Sequence, residues 1–156
     1  MLNLNELVRG GTMCLSKAGL AIGSGDVKDV DIAAPNGAGV DFAINGILYH
    51  KADAADQAIT AATAQADLTT CLYLICLNAA GTVSSVKGTE VLTADLTAGT
   101  AVLQWPSPVA NTCPIGAVKV ATSGATFTAG TTAFNAVTVT DTYYDLFTVP
   151  TAPLTS

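Results

Sequence analysis

A single histidine, His50, limits the acid–base and nucleophilic chemistry open to this chain. Any Ser-His-Asp or Cys-His device would have to be built around it. The strand pattern at that position instead sets His50 across a hairpin from Asp41, a pairing of two surface side chains. Four cysteines, Cys14, Cys71, Cys76 and Cys113, supply the thiols. Zinc sites favour close pairs such as C-x-x-C, and no such pair occurs. Cys71 and Cys76 bracket the apolar run Cys-Leu-Tyr-Leu-Ile-Cys. On a strand that spacing turns them to opposite faces, so they do not pair with each other. The thiols read as small buried apolar groups. A Cys14–Cys113 bridge is compatible with the sequence, but nothing in it favours one.

Asp26, Asp29 and Asp31 form an acidic cluster that could suggest calcium. Their spacing is not that of an EF-hand loop, which needs a Gly turn and a distant bidentate Glu. Alternation along Asp29-Val-Asp-Ile32 instead places Asp29 and Asp31 on one exposed strand face. The glycine clusters at 10–11, 23–25 and 36–39 lack the lysine and spacing of a phosphate loop and read as turns. A pair of glycosidase carboxylates would sit among sugar-stacking aromatics, yet the chain holds one Trp and four Tyr. The expectation is a protein with no catalytic residues, no metal and no cofactor.

The elements that would position these residues read as β-structure throughout. Val40–Ile44 and Ile47–Lys51 flank Asn45-Gly46, which predicts a two-residue hairpin with a type I′ turn. That register sets Ile44 opposite Ile47, Phe42 opposite Tyr49 and Asp41 opposite His50. The first two pairs share a face expected to be core. Residues 52–70 mix Ala with Thr and read as strand and loop. Leu72–Leu77 reads as a central strand covered on both faces, Asn78–Gly81 as a hairpin loop, and Thr82–Lys87 as the return strand. Gly88–Thr100 reads as weaker strands with a turn at Gly99. Trp105-Pro-Ser-Pro108 is a rigid stop, because proline fixes φ and cannot donate to a ladder. Ala117–Thr122 and Thr126–Thr128 read as a strand pair turning at Ser123-Gly124, followed by Val137–Thr140. Tyr143 and Tyr144 are adjacent on a strand, so one faces in and one out. Frequent turn signals and the absence of a long amphipathic stretch predict an all-β fold. It would be a small β-sandwich or β-barrel of antiparallel strands with an extended N-terminal arm. The expected divisions are an arm over 1–25, a β domain over 26–147 and a tail over 148–156.

Asn111–Phe134 is the densest such stretch, and its Phe127–Phe134 segment echoes Leu96–Leu103, which suggests repeated strand units. The runs Pro114-Ile-Gly-Ala-Val-Lys-Val120 and Ala125-Thr-Phe-Thr-Ala-Gly-Thr-Thr-Ala-Phe134 resemble tailed-bacteriophage virion proteins. So do Phe42-Ala-Ile-Asn-Gly-Ile-Leu-Tyr-His-Lys51 and Asn78-Ala-Ala-Gly-Thr-Val83. The resemblance covers roughly residues 40–145 and rests on turn-and-strand patterns; the first 40 residues carry none of it. It implies a structural protein that decorates and stabilises the outside of a bacteriophage capsid, a cement protein bound to the major capsid protein. Self-association as a homotrimer, a place on the virion surface and synthesis in the host cytoplasm go with it. The alternative is a fibre, baseplate or receptor-binding component that contacts the host surface, although the chain lacks a long repetitive shaft.

Composition fits an assembling domain. The 156 residues amount to one domain, half of them hydrophobic but only 6% aromatic, so the core is built from small side chains. Such cores often complete their burial by oligomerising. Charged residues are 12% and the net charge is −6, so nucleic acid is not an expected partner. The run Leu72–Leu77 is too short to span a membrane, and Met1–Glu6 lacks the basic start of a secretory signal. Leu2, Leu4, Leu7 and Val8 make the arm apolar, which suggests contact with a partner or neighbour, or an ordinary first strand. Trp105 and Tyr144 are the candidate aromatic contacts, with a core plug under the Pro-rich loop as the other reading of Trp105.

Overall fold

A computed structural model describes residues 11–147. In chain order they form β1 (Met13–Cys14), β2 (Leu20–Ile22), β3 (Val30–Ile32), β4 (Val40–Ile44), β5 (Ile47–Lys51), β6 (Ala54–Gln57), β7 (Thr69–Asn78), β8 (Val83–Lys87), β9 (Val91–Leu92), helix α1 (Thr93–Ala98), β10 (Thr112–Thr122) and β11 (Val139–Asp145). The largest sheet runs β11-β10-β7-β8, with β9 also paired to β7; the two smaller sheets run β1-β4-β5 and β2-β3-β6. Every strand pairing is antiparallel. The fold is therefore all-β and sandwich-like, with no closed barrel.

The core lies between the large sheet and the two small ones. Alternate residues of β7 (Cys71, Tyr73, Ile75 and Leu77) meet Leu20, Val30, Ile32, Phe42 and Ile44 from the small sheets. Phe127 and Phe134 fill the space between them, Phe127 edge-on to Tyr73. From β10 come Cys113, Ile115, Val118 and Val120. Odd positions point inward before Gly116 and even ones after it, because the pairing with β7 shifts register between Pro114 and Gly116. Such an irregularity accommodates a residue without an N–H and reverses the side-chain alternation. Pro114 thus lies inside an 11-residue strand rather than ending one.

The hairpin forms in the expected register, Asp41 opposite His50, Phe42 opposite Tyr49 and Ile44 opposite Ile47. Asn45 and Gly46 have φ of 52° and 82°, as a type I′ turn requires. One expectation fails there: Ile47 is 59% exposed. Phe42 and Ile44 sit on the central strand over the core, whereas Ile47 begins an edge strand at the hairpin tip. Beyond the hairpin, β6 and the loop before β7 make residues 52–70 strand and loop. β7 is buried from Thr69 to Leu77 on both faces, and β8 returns beside it.

Four other expectations are corrected. Gly88–Thr100 holds only the two-residue β9, followed by helix α1, which ends at Gly99 with φ 71°. The Thr-Ala-Gly-Thr echo is a turn, not a strand unit. Gly130 repeats the left-handed conformation with φ 72°, and the Thr131 and Thr132 N–H groups bond back to the Thr128 carbonyl. Thr126–Thr128 does not pair with 117–122; β10 is occupied on both sides by β7 and β11. The chain after Ser123-Gly124 crosses the core instead, and Phe127 bridges to Gln65. Finally, the paired strands β1 and β2, with Cys14, Ala18 and Leu20 buried, belong to the body of the domain. The domain therefore begins before residue 26. The rest of the expected arm, residues 1–10, and the tail over 148–156 lie outside the described residues.

Gln65 is a polar hub that the sequence did not reveal. Its side chain is fully buried; Nε2 donates to the Thr69 and Val120 carbonyls, both at 3.0 Å, and Oε1 accepts from the Tyr73 hydroxyl at 3.2 Å. Its backbone pairs with Phe127 in both directions. One carboxamide thereby ties β7, β10 and the crossing segment together.

Candidate assembly surface

The candidate chemical groups are occupied by structural work. His50 Nδ1 lies 2.8 Å from Asp41 Oδ1 with both side chains in solvent, the cross-strand pair that the register dictates. All four cysteines are free and buried. Cys71 faces the main core, and Cys76 faces a second small cluster with Leu74 and Ala117. Burial pushes the Cys14 and Cys71 thiols up to about 11 and Cys113 up to about 12. These are inert thiols, since the thiolate is the reactive form.

The acidic residues near the β2–β3 turn accept backbone N–H groups. Asp56 Oδ1 takes those of Gly25 and Asp26 at 2.8 and 2.7 Å. Asp31 takes those of Ser24 and Asp56 at 3.1 and 2.7 Å. A backbone hydrogen bond from Lys28 holds the Asp26 carboxyl below its ordinary range. Burial, then the nearby Asp26 and Asp56, push Asp29 up. Asp29 lies in the turn before β3 rather than on the strand. Among the described residues no group of three or more His, Cys, Asp or Glu is gathered as a metal site. No helix among them is long and apolar enough to cross a membrane.

What the surface offers instead is apolar area. On the outer face of the large sheet, Tyr144, Ala117, Leu74 and Val86 form one cross-strand row. Helix α1 and the irregular chain after it lie against this face. Leu96, Thr97 and Ala101–Leu103 border a groove of about 510 Å³ floored by Thr70, Lys119, Ala121 and Thr140. Farther along, Gln104–Ser107 lie beside Val86–Thr89. This strap positions Trp105, which is 54% exposed, and Val102 and Val109 are exposed on the same segment. Pro106 stiffens the segment and packs beside Gly88, where an added Cβ would come within 3.1 Å of its ring. The core-plug reading of Trp105 is thus overturned. Tyr144 is 39% exposed on edge strand β11, while Tyr143 turns inward against Phe134. Trp105 lies by β8, at the opposite edge of the large sheet from Tyr144 on β11. Leu2, Leu4, Leu7 and Val8 lie outside the described residues.

A second apolar patch, which the sequence reading missed, surrounds the tip of the β4–β5 hairpin. Ile47 and Leu48 are exposed there on opposite faces of the ribbon. Gly46 N–H donates to the Gly11 carbonyl at 2.8 Å, and Asn45 N–H to Thr12 Oγ1 at 3.0 Å. Gly11 has no room for a side chain, because an added Cβ would lie 2.6 Å from Gly46 N. The signal was present in the sequence: an Ile-Leu pair directly after an Asn-Gly turn lies at a hairpin tip, where burial is least.

Comparison with models of known protein families, with curated proteins and with solved structures finds no match to this chain.

Proposed function

We propose that this chain is a structural virion protein. It decorates the outside of a bacteriophage capsid and stabilises it by binding the major capsid protein, as a homotrimer made in the host cytoplasm. The observation that carries the reading is the exposed apolar strap: Val102, Trp105 and Val109 are exposed on one segment, of which residues 101–107 lie beside the large sheet. A half-exposed aromatic beside a proline-stiffened turn is what a protein interface uses as an anchor. The resemblance over residues 40–145 supports the kind of assembly, and the low charge of the chain suits close subunit contact. Decoration of this kind works by mass action, since many copies that bind only the assembled shell each add to its stability.

The test is binding of the purified protein to expanded heads lacking tails, followed by sedimentation of the particles. The reading expects saturable binding that Trp105→Ala abolishes, and a rise in the temperature at which heads release DNA. Heads that neither contain nor bind the protein refute it. Binding confined to tails or to host cells would place the protein in a fibre or baseplate instead.

A further inference from the structure

β5 is an edge strand, and the outer peptide groups of an edge strand are a template for an added strand. β5 lies at the end of the sheet order β1-β4-β5, and among the described residues no strand pairs with its outer side. In a two-residue hairpin the pair flanking the turn exchanges both hydrogen bonds, so Ile47, Tyr49 and Lys51 direct their peptide groups toward β4. Leu48 and His50 direct theirs outward, where no described strand pairs with them. Proteins usually blunt such an edge with charge, proline or a cover. This one begins with two large apolar side chains that are 59% and 67% exposed, Ile47 and Leu48.

The chain itself supplies a fitting peptide. Residues 1–10 join the body at Gly11, beside this same hairpin tip. They carry Leu2, Leu4, Leu7 and Val8. Leu2 and Leu4 share one face if the segment is extended. Ten extended residues reach about 33 Å. However, Gly11 enters along β1, at the opposite edge of the sheet from β5. Within one subunit the segment would have to reverse and cross about 14 Å of sheet, given strands about 4.8 Å apart. That crossing would use the residues nearest Gly11, including Leu7 and Val8, and leave them off the edge. A neighbouring copy can offer all four apolar residues.

We infer that residues 1–10 of one copy add as a strand to the β5 edge of a second copy and cover its Ile47 and Leu48. Main-chain hydrogen bonds to Leu48 and His50 set the alignment, and the leucines bury the exposed tip. The inference concerns the protein alone and does not depend on the virion reading.

The experiment uses the purified full chain without heads. Its mass is measured by light scattering alongside a variant lacking residues 1–10 and the surface variants Leu48→Lys and Leu48→Pro. Leu48→Pro removes an outward-facing N–H and leaves the β4 pairing intact. The expected result is an oligomer that falls to the 15.7 kDa single chain, or close to it, in each variant. Mixed Leu4→Cys and Leu48→Cys chains should also give a covalent dimer on mild oxidation. A monomeric full chain, an oligomer that survives Leu48→Lys and Leu48→Pro, or no dimer in the mixture would overturn the inference. So would a doubly substituted chain that closes the bridge within itself at high dilution. Circular dichroism of Leu48→Lys, a surface change, separates loss of assembly from loss of fold.

Discussion

Replacing Gln65 with alanine should be among the most damaging single changes in this domain. The carboxamide is fully buried and makes three hydrogen bonds. Removing it strands the Tyr73 hydroxyl, which has no other hydrogen-bond partner among the described residues. A stranded buried group costs about 1–3 kcal/mol. The Thr122 hydroxyl lies 3.1 Å from the Thr69 carbonyl, but its single proton is shared with the nearer Ala66 carbonyl at 2.9 Å, so the Thr69 carbonyl is only partly compensated. Two lost bonds at about 1 kcal/mol each bring the total to about 3–5 kcal/mol. Measured against the roughly 5–15 kcal/mol of a typical domain, that is a large share. Urea unfolding followed by far-UV circular dichroism, at one protein concentration because assembly is linked to stability, gives the number. Tyr73→Phe alone should cost about 1–2 kcal/mol, because it leaves Gln65 Oε1 without its donor. The double variant should cost less than the sum of the two, since each partner is then spared an unmet group. A Gln65→Ala cost below about 1 kcal/mol, or strict additivity with Tyr73→Phe, would refute the hub.

Other outcomes follow from the same contacts. Burial alone would raise the Glu90 carboxyl, but its hydrogen bonds with Lys87 and the Ala66 N–H reverse this and hold it below its ordinary 4.5. Its folded pKa is depressed, so its stabilisation is complete above 4.5 and is lost as pH falls through the folded value. Glu90→Gln should therefore cost about 1 kcal/mol at neutral pH, with the difference closing in acid melts. In native protein at pH 8 a thiol reagent should modify almost none of the four cysteines, and in urea all of them. A thiol raised to about 11 has a thiolate population roughly 100-fold below that of an ordinary thiol at this pH. Because those folded values are raised, stability should also fall as pH climbs above the ordinary value of 9. Trp105→Ala should change unfolding stability by no more than about 0.5 kcal/mol, being a surface change. In the free protein, iodide should quench the fluorescence of Trp105, and binding to heads should protect it.

The all-β class and the β4–β5 register were legible in the sequence. Asn-Gly selects one turn, and a two-residue turn leaves one alignment, so the Asp41–His50 pair followed from spacing alone. The opposite facing of Cys71 and Cys76 needed only the period of a strand. Residues whose placement depends on partners distant in sequence were not legible. Thr126–Thr128 has a strand composition, but both sides of β10 were already taken by β7 and β11. Proline ordinarily bars a central strand, yet a register shift absorbs Pro114 within β10. Trp105 is large and apolar enough for a core, but Phe127, Phe134, Tyr73 and Phe42 fill that volume from other segments.

By itself, then, the sequence determined the alternation, the turns and the small-residue core of an antiparallel β protein, because those are set by local sterics and side-chain period. Tertiary structure decided which apolar groups remain outside. It set a strap across the large sheet, left the β5 edge unpaired among the described residues and placed Gly11 beside the hairpin turn. Burial is a property of what else occupies the same space, and no run of neighbouring residues encodes that.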